Sequence, residues 1–130
     1  MKAIVLIACG GAVGAVLRYA ISVWTREFFG PEYPWGTFLV NVVGCLLMGI
    51  LVQSIDVAIV SDQARLLVGV GLLGALTTFS AFGYDTIVCF RQMGWSLALA
   101  NVMANVICGL LAVVLGMALV RWLVNANSLA

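Results

Sequence analysis

Apolar residues fill four long stretches of the chain, and short polar segments separate them. The stretches cover about residues 3–24, 34–55, 64–91 and 95–124. Each exceeds the roughly 20 residues that a helix needs to cross a hydrocarbon core about 30 Å thick. The segments between them are too short for a separate soluble domain. We therefore predict an all-α membrane protein in which residues 1–130 form a single domain of four transmembrane helices.

The composition excludes a water-soluble fold. Hydrophobic residues make up 65% of the chain and charged residues 8%, whereas soluble domains have about 45–50% apolar and about 25% charged residues. The first apolar stretch continues to Val23, which favours a spanning helix over a cleaved signal peptide. The four cysteines lie in apolar stretches without CxxC spacing, and the chain has no histidine. We interpret the cysteines as buried thiols rather than metal ligands.

The basic residues are divided almost evenly between the two ends of the predicted bundle. Orientation in a membrane is normally set by an excess of Lys and Arg in the cytoplasmic loops. Here the count is three against two or three, depending on how Arg18 is assigned, so we predict insertion in both orientations and an antiparallel dimer. The side of the termini has Lys2, Arg65 and Arg121, and the opposite side has Arg26 and Arg91, with Arg18 nearby.

The third stretch is too long for a straight helix perpendicular to the membrane. Its 28 residues would extend about 42 Å at about 1.5 Å per residue. Gly69, Gly71 and Gly74, followed by Thr77 and Thr78, predict a break near its midpoint. Backbone groups freed at that depth need a partner in protein, water or an ion. No acidic residue lies there, so backbone carbonyls would hold a bound cation.

Asparagines occur inside the second and fourth stretches. Asn41 follows Thr37 by one turn, which predicts a polar track as well as a contact with a neighbouring helix. Asn101 and Asn105 lie one turn apart, on a face that continues with small residues. An asparagine in a membrane either bonds a neighbouring helix or lines a pore. Both interpretations stay open for this pair.

The first stretch and the end of the third carry three further candidate features. Gly10 and Gly14 form a small-xxx-small pattern, which is typical of close helix packing. Arg18 either extends to the membrane interface or attracts anions into a vestibule. Phe79 and Phe82 project from one side of a helix. They are either core aromatics or, because an aromatic ring has a positive edge, the lining of a path for a small anion.

Three blocks of the sequence resemble the small bacterial fluoride channels of the Fluc (CrcB) family. The resemblance covers essentially the whole chain, and its most specific part is the Thr-Thr-Phe-Ser-x-Phe core. The blocks are GGAVGAVLRY from Gly10, GTFLVNVVG from Gly36 and GALTTFSAF from Gly74.

This resemblance implies a channel that passively exports cytoplasmic fluoride and so lowers its toxicity. It also implies an antiparallel, dual-topology homodimer with two pores in a bacterial inner (plasma) membrane. Arg18 would lie in the vestibule. The fluoride path would contain Thr37, Asn41, Phe79, Ser80, Phe82, Asn101 and Asn105.

The resemblance further implies a structural sodium ion that is not transported. It would lie at the centre of the dimer, held by the main-chain carbonyls of Gly74 and Thr77 from both subunits. The sequence departs from the family pattern elsewhere. Alanines stand where glycine and threonine are usual, at positions 75 and 81, and asparagines stand where tyrosine and serine are usual, at positions 101 and 105.

Three other functions are weaker interpretations of the same residues. A small multidrug exchanger needs a carboxylate deep in the membrane, but all five acids lie in connections or toward the ends of spans, where Asp85 is expected to face an aqueous mouth. An enzyme would need a general acid–base pair, for which nothing here is a candidate. An accessory subunit would suit the glycines but leaves the Thr-Thr-Phe-Ser-x-Phe core without a purpose. The acids are Glu27, Glu32, Asp56, Asp62 and Asp85.

Overall fold

The computed structural model describes residues 1–128, which form four long helical spans joined by short connections. All four spans are long and apolar enough to cross a membrane. The predicted all-α fold of a multi-pass membrane protein is therefore confirmed. The first helix is Lys2–Phe29, the second Trp35–Asp56 and the fourth Trp95–Ser128, and the third span extends over Asp62–Met93.

Three of the four spans are longer than the apolar stretches predict, and the second has the predicted length. The first helix continues through Thr25 to Phe29 and stops at Gly30, whose φ of 83° is a left-handed conformation that favours glycine. The third span likewise continues to Met93, and Gly94, with a φ of 86°, makes the turn into the fourth helix. The apolar pattern marks where a helix can contact lipid, whereas these glycines mark where the helix itself ends.

The third span is not a regular α-helix along its length. Its first half is largely a π-helix, and two residues with extended backbone, Thr77 and Thr78, precede its second half. Gly69 and Gly71 lie inside the π-helix, so the prediction that they belong to a break is wrong. In chain order the helical segments are Asp62–Ala64, the π-helix Arg65–Leu73, Gly74–Leu76 and Phe79–Met93.

The first helix packs against the π-helix with almost no side chain between the two backbones. A Cβ atom at Gly10 would collide with the carbonyl of Leu67, and one at Gly14 with the carbonyl of Leu72. On the facing side, a Cβ at Gly71 would lie 2.7 Å from the carbonyl oxygen of Ile7. The predicted role of Gly10 and Gly14 in close helix packing is thus confirmed.

The second and fourth helices make the other extensive contact of the bundle. A Cβ on Gly49 would meet the carbonyl of Val113, and one on Gly116 would meet the carbonyl of Leu46. The predicted small-residue face of the fourth helix is buried, including Ala112. Close packing of the two backbones provides the attraction between these helices. The hydrophobic effect does not provide it, because lipid tails are as apolar as the side chains of the helices.

The interior is small, and the thiols are only partly enclosed. The core consists of Val40, Leu51, Leu73 and Leu76. Among the cysteines only Cys89 is buried, while Cys9 is exposed and Cys45 and Cys108 are intermediate. The prediction of buried thiols is therefore wrong for Cys9, because that position faces outward from the first helix rather than toward the bundle.

The first-helix contact can be tested with two adjacent glycines. Gly10→Ala is expected to lower the free energy of unfolding by about 1–3 kcal/mol, because the new methyl group displaces the backbone at Leu67. For Gly11→Ala, where the nearest atom to a Cβ is 3.9 Å away, stability should be unchanged or rise by up to about 1 kcal/mol. Thermal unfolding of purified protein in detergent measures both, and equal effects would contradict the packing described here.

Candidate functional site

The two extended residues of the third span are held by Asn41 of the second helix. The backbone N–H of Thr78 donates to Oδ1 of Asn41 at 2.9 Å, and Nδ2 of Asn41 donates to the carbonyl of Thr78 at 3.3 Å. The asparagine amide thus pairs with both backbone groups of one residue. It supplies the internal partners that irregular backbone requires in a membrane-spanning segment.

This arrangement releases two carbonyl groups of the same segment. In a continuous helix Gly74 and Thr77 would accept bonds from the N–H groups of Thr78 and Ala81. Those N–H groups instead donate to Asn41 Oδ1 and, at 3.1 Å, to the hydroxyl of Thr78. Unwound carbonyls are ligands for alkali cations in membrane proteins. Gly74 and Thr77 therefore fit the predicted sodium site in their chemistry.

Acidic side chains offer no alternative cation site in the part of the chain that the structure describes. No group of three or more His, Cys, Asp or Glu residues lies close enough together to hold a metal ion. That a cation at the interruption would be held by neutral oxygens stays a prediction.

Three asparagines and one threonine form a continuous series of hydrogen bonds, which we call the asparagine chain. Asn41 Nδ2 donates to Asn105 Oδ1 at 3.1 Å, and Asn105 Nδ2 donates to the carbonyl of Asn101 at 3.0 Å and to its Oδ1 at 3.1 Å. Asn101 Nδ2 then donates to Thr86 Oγ1 at 2.8 Å. Asn101 is 1% exposed and Asn105 9%. Both bond neighbouring helices, and a role of either in lining a path stays a prediction.

The phenylalanine pair lies beside the interruption. The rings of Phe79 and Phe82 are 5.6 Å apart between centroids, with planes at 51°. Phe79 is 84% exposed, while Phe82 is partly buried. Ser80 is also exposed, and its hydroxyl hydrogen-bonds that of Thr78 at 3.1 Å. These side chains thus lie on one outer surface of the chain.

Arg18 lines a cavity of about 560 Å³ next to this surface. The cavity also touches Thr78, Ser80 and Tyr84. The arginine therefore shares an open space with the hydroxyl groups that follow the interruption. This position is compatible with the predicted vestibule, where a cationic side chain would raise the local concentration of anions.

A second cavity, of about 450 Å³, opens at the end of the bundle where the first two helices connect. Thr37 and Asp85 line it, and the Thr37 hydroxyl donates to Asp85 Oδ2 at 2.6 Å. Asp85 thus lines a cavity at one end of the bundle, and its exposure to an aqueous mouth stays a prediction. Tyr33 lines the same cavity, and burial is the main cause that raises the pKa of its phenol.

The sequence pattern does not indicate Thr86, and it places Thr78 in the break without indicating its capping role. Thr86 accepts the bond from Asn101 and donates to the carbonyl of Phe82 at 2.7 Å. The side chain of Thr78 caps the helix that begins at Phe79. The capping position carries a signal, since threonine is preferred there. No spacing rule links Thr86 to Asn101, because the turn between their helices determines which residues face each other.

Two comparisons with known proteins agree with each other. The family described as "CrcB-like protein, Camphor Resistance (CrcB)" matches residues 5–117, a range that contains every candidate residue named above. A protein of Chloroflexus aurantiacus named fluoride-specific ion channel FluC is 42% identical over 94% of this chain and 98% of its own length. A protein of the same name from Shewanella loihica is 43% identical over 92% and 97%.

These relatives are named as ion channels and not as enzymes. The matched range begins in the first helix and ends in the fourth, so it includes parts of all four spans. The chain belongs to the CrcB family.

Proposed function

We propose that this protein is a fluoride-selective channel that passively exports cytoplasmic fluoride and lowers its toxicity. The observation that carries the proposal is the pair Phe79 and Phe82, set beside an interrupted span. Its relatives named fluoride-specific ion channel FluC support it at 42–43% identity over more than nine-tenths of the chain.

Passive export suffices for this anion. Hydrogen fluoride enters cells as a neutral molecule and ionises inside, where the anion cannot return through lipid. A potential that is negative inside then favours exit of the anion by about 2.3 kcal/mol per 100 mV. A channel needs no coupled ion for this task. The proposed location is a bacterial inner (plasma) membrane.

The proposed path follows positive and donor groups. Arg18 attracts the anion to the cavity that it shares with Ser80. The edges of Phe79 and Phe82 carry partial positive charge and line the narrow part. Asn41 lies on the path at the level of the interruption, and the hydroxyl of Thr37 lies at the other cavity. The fluoride ion would thus exchange water for weak donors that bind it without retaining it.

The exposed surface supports a second copy as the partner. Phe79 and Ser80 lie on the outside of the chain, and Gly74 is exposed as well. A phenylalanine pair can enclose a path only if another surface faces it. The near-even division of basic residues supports opposite orientations of the two copies. We therefore propose an antiparallel, dual-topology homodimer with two pores.

The depth of the interruption follows from its contact with the second helix. Asn41 is six residues after Trp35, the start of that helix, which corresponds to about 9 Å along the axis. Thr78, its bonding partner, would accordingly lie well inside a hydrocarbon core of about 30 Å. We propose that the break is close to the middle of the membrane, because Thr77 and Thr78 are the central two residues of the 32-residue span Asp62–Met93.

A structural sodium ion completes the proposal. The carbonyls of Gly74 and Thr77 would hold it, together with those of the second copy. The bound cation would supply positive charge that neutralises the unpaired carbonyl dipoles at the dimer centre. Asn41 keeps the Gly74 carbonyl free, because it binds the N–H that would otherwise return to that oxygen.

Fluoride efflux tests the channel directly. Proteoliposomes loaded with potassium fluoride and opened with valinomycin are expected to release fluoride rapidly, as read with a fluoride electrode, while vesicles loaded with potassium chloride retain chloride. Absence of fluoride release in sodium-containing buffer, from protein whose dimeric state is verified, would contradict the channel and favour the accessory subunit.

Substitution of the phenylalanines tests the proposed path. Phe79→Ile and Phe82→Ile should each abolish fluoride efflux, because they remove the ring edges while leaving an apolar side chain. The matched control is Phe90→Ile on the same helix. The ring of Phe90 packs against Trp95, with 4.5 Å between the ring centroids, and not against the phenylalanine pair. Normal conduction by both variants, with the dimer intact, would show that the aromatic edges are not the path.

Removal of sodium tests the cation site. Replacing sodium by N-methylglucamine is expected to lower the thermal stability of the purified protein, since a ligand at 100 times its Kd stabilises the folded state by about 2.7 kcal/mol. Asn41→Leu should reduce this sodium dependence, because the N–H of Thr78 can then return to Gly74. Asn127→Leu, an exposed position of the fourth helix, should retain it. Equal sodium dependence in all three proteins would contradict the site.

A further inference from the structure

We propose that Asn101 is a positioning residue for the fluoride path, which acts through Asn105 and Thr86 and does not itself face the path. The asparagine chain would hold the helical turn that carries Phe79 and Phe82 in a fixed place. This inference rests on the proposed channel function and assigns part of its selectivity to the fourth helix.

The hydrogen bonds of the two asparagines point to this role. The amide nitrogen of Asn105 is directed at two oxygens of Asn101, and its own oxygen accepts from Asn41. Asn101 is 1% exposed, its nitrogen donates to Thr86 and its oxygen accepts from Asn105. Asn41 and Thr37, which the proposed path includes, are partly exposed. Asn101 and Asn105 are buried and bonded within the chain, which suits positioning better than ion contact.

The two ends of the asparagine chain support the same conclusion. At one end Asn41 binds the N–H and the carbonyl of Thr78, immediately before Phe79. At the other end the hydroxyl of Thr86 donates to the carbonyl of Phe82. Both ends therefore finish on the backbone that bears the two rings, one before the pair and one at its second member.

The turn between these ends requires such support. The residues before it are extended, so no preceding helical turn holds its start. Its remaining local support is the cap, in which the hydroxyl of Thr78 accepts from Ala81 N–H at 3.1 Å. Functional groups must be held within roughly 0.5 Å of their working geometry by packing and by supporting hydrogen bonds. Loss of Asn101 would allow the rings to shift relative to the path.

The test combines two substitutions that each remove the hydrogen bond between Asn101 and Thr86. Asn101→Leu removes the amide at similar volume, and Thr86→Val removes the hydroxyl and preserves the shape. Each should lower fluoride efflux per dimer by about tenfold, the change that loss of one buried hydrogen bond typically produces, and should increase chloride leakage. The double variant should lose less than the sum of the two single losses, because both substitutions break the Asn101–Thr86 bond.

Ser54→Ala is the matched control. Ser54 is also buried, but its hydroxyl donates to the carbonyl of Ile50 in its own helix at 2.8 Å, and it lines neither of the two cavities described above. Its efflux and its discrimination against chloride should equal those of the wild type. Combined with Thr86→Val, it should leave the Thr86→Val effect unchanged.

Hydrogen exchange provides a readout apart from transport. Exchange of the backbone N–H groups of residues 77–82 should become faster in Asn101→Leu and Thr86→Val, and should be unchanged in Ser54→Ala. A purely structural role would lower the thermal stability of the whole protein without changing chloride leakage or this local exchange, and that result would overturn the proposal.

The outcomes separate the two proposals. A wild-type protein that releases no fluoride overturns the channel function and this inference with it. A conducting wild type whose Asn101→Leu and Thr86→Val variants discriminate fluoride from chloride equally well overturns this inference alone, as do additive losses in the double variant. If Asn101→Leu does not assemble, the shape-preserving Thr86→Val decides the question.

Discussion

Every backbone N–H and C=O inside a membrane requires a partner from the protein, from water or from an ion, because lipid supplies none. A helix meets this requirement alone, and an interrupted helix does not. At Thr77 and Thr78 the helical bonding of the third span is interrupted: the N–H of Thr77 still donates to Leu73, but the N–H groups of Thr78 and Ala81 donate to side chains instead of to Gly74 and Thr77. Asn41 binds the backbone of Thr78, and the Thr78 hydroxyl caps the next helix. The carbonyls of Gly74 and Thr77 then become available, and they are the ones proposed to hold sodium.

Glycine determines where the interruption lies relative to the other helices. The first helix contacts the π-helix at Gly10 and Gly14, where the partner atoms are backbone carbonyls rather than side chains. The second and fourth helices approach each other at Gly49 and Gly116 in the same manner. Contacts between backbones allow little adjustment, since no flexible side chain separates them. They therefore give the polar groups of three helices a defined separation, which the short bonds of the asparagine chain require.

The groups that are proposed to contact the anion bind it only weakly. A channel must bind its ion well enough to remove its water and loosely enough to release it. In the proposed path, ring edges, hydroxyls and one arginine in a cavity would provide graded attraction without a fixed positive charge between the phenylalanine rings. In the proposed arrangement the strong interactions, those between buried amides and backbone groups, hold the protein in place, and the weak ones contact the anion.

The sequence by itself determined the class of this protein and much of its site. Four apolar stretches specify four spans, since length and hydropathy decide membrane insertion, and small-xxx-small spacing on a helix places Gly10 and Gly14 on one packing face. The Thr-Thr-Phe-Ser-x-Phe core identified the family. Only the tertiary structure decided that Gly69 and Gly71 pack within a π-helix instead of breaking it, and that Asn101 reaches Thr86. These contacts join residues on different segments, whose relative rotation depends on packing and not on local spacing.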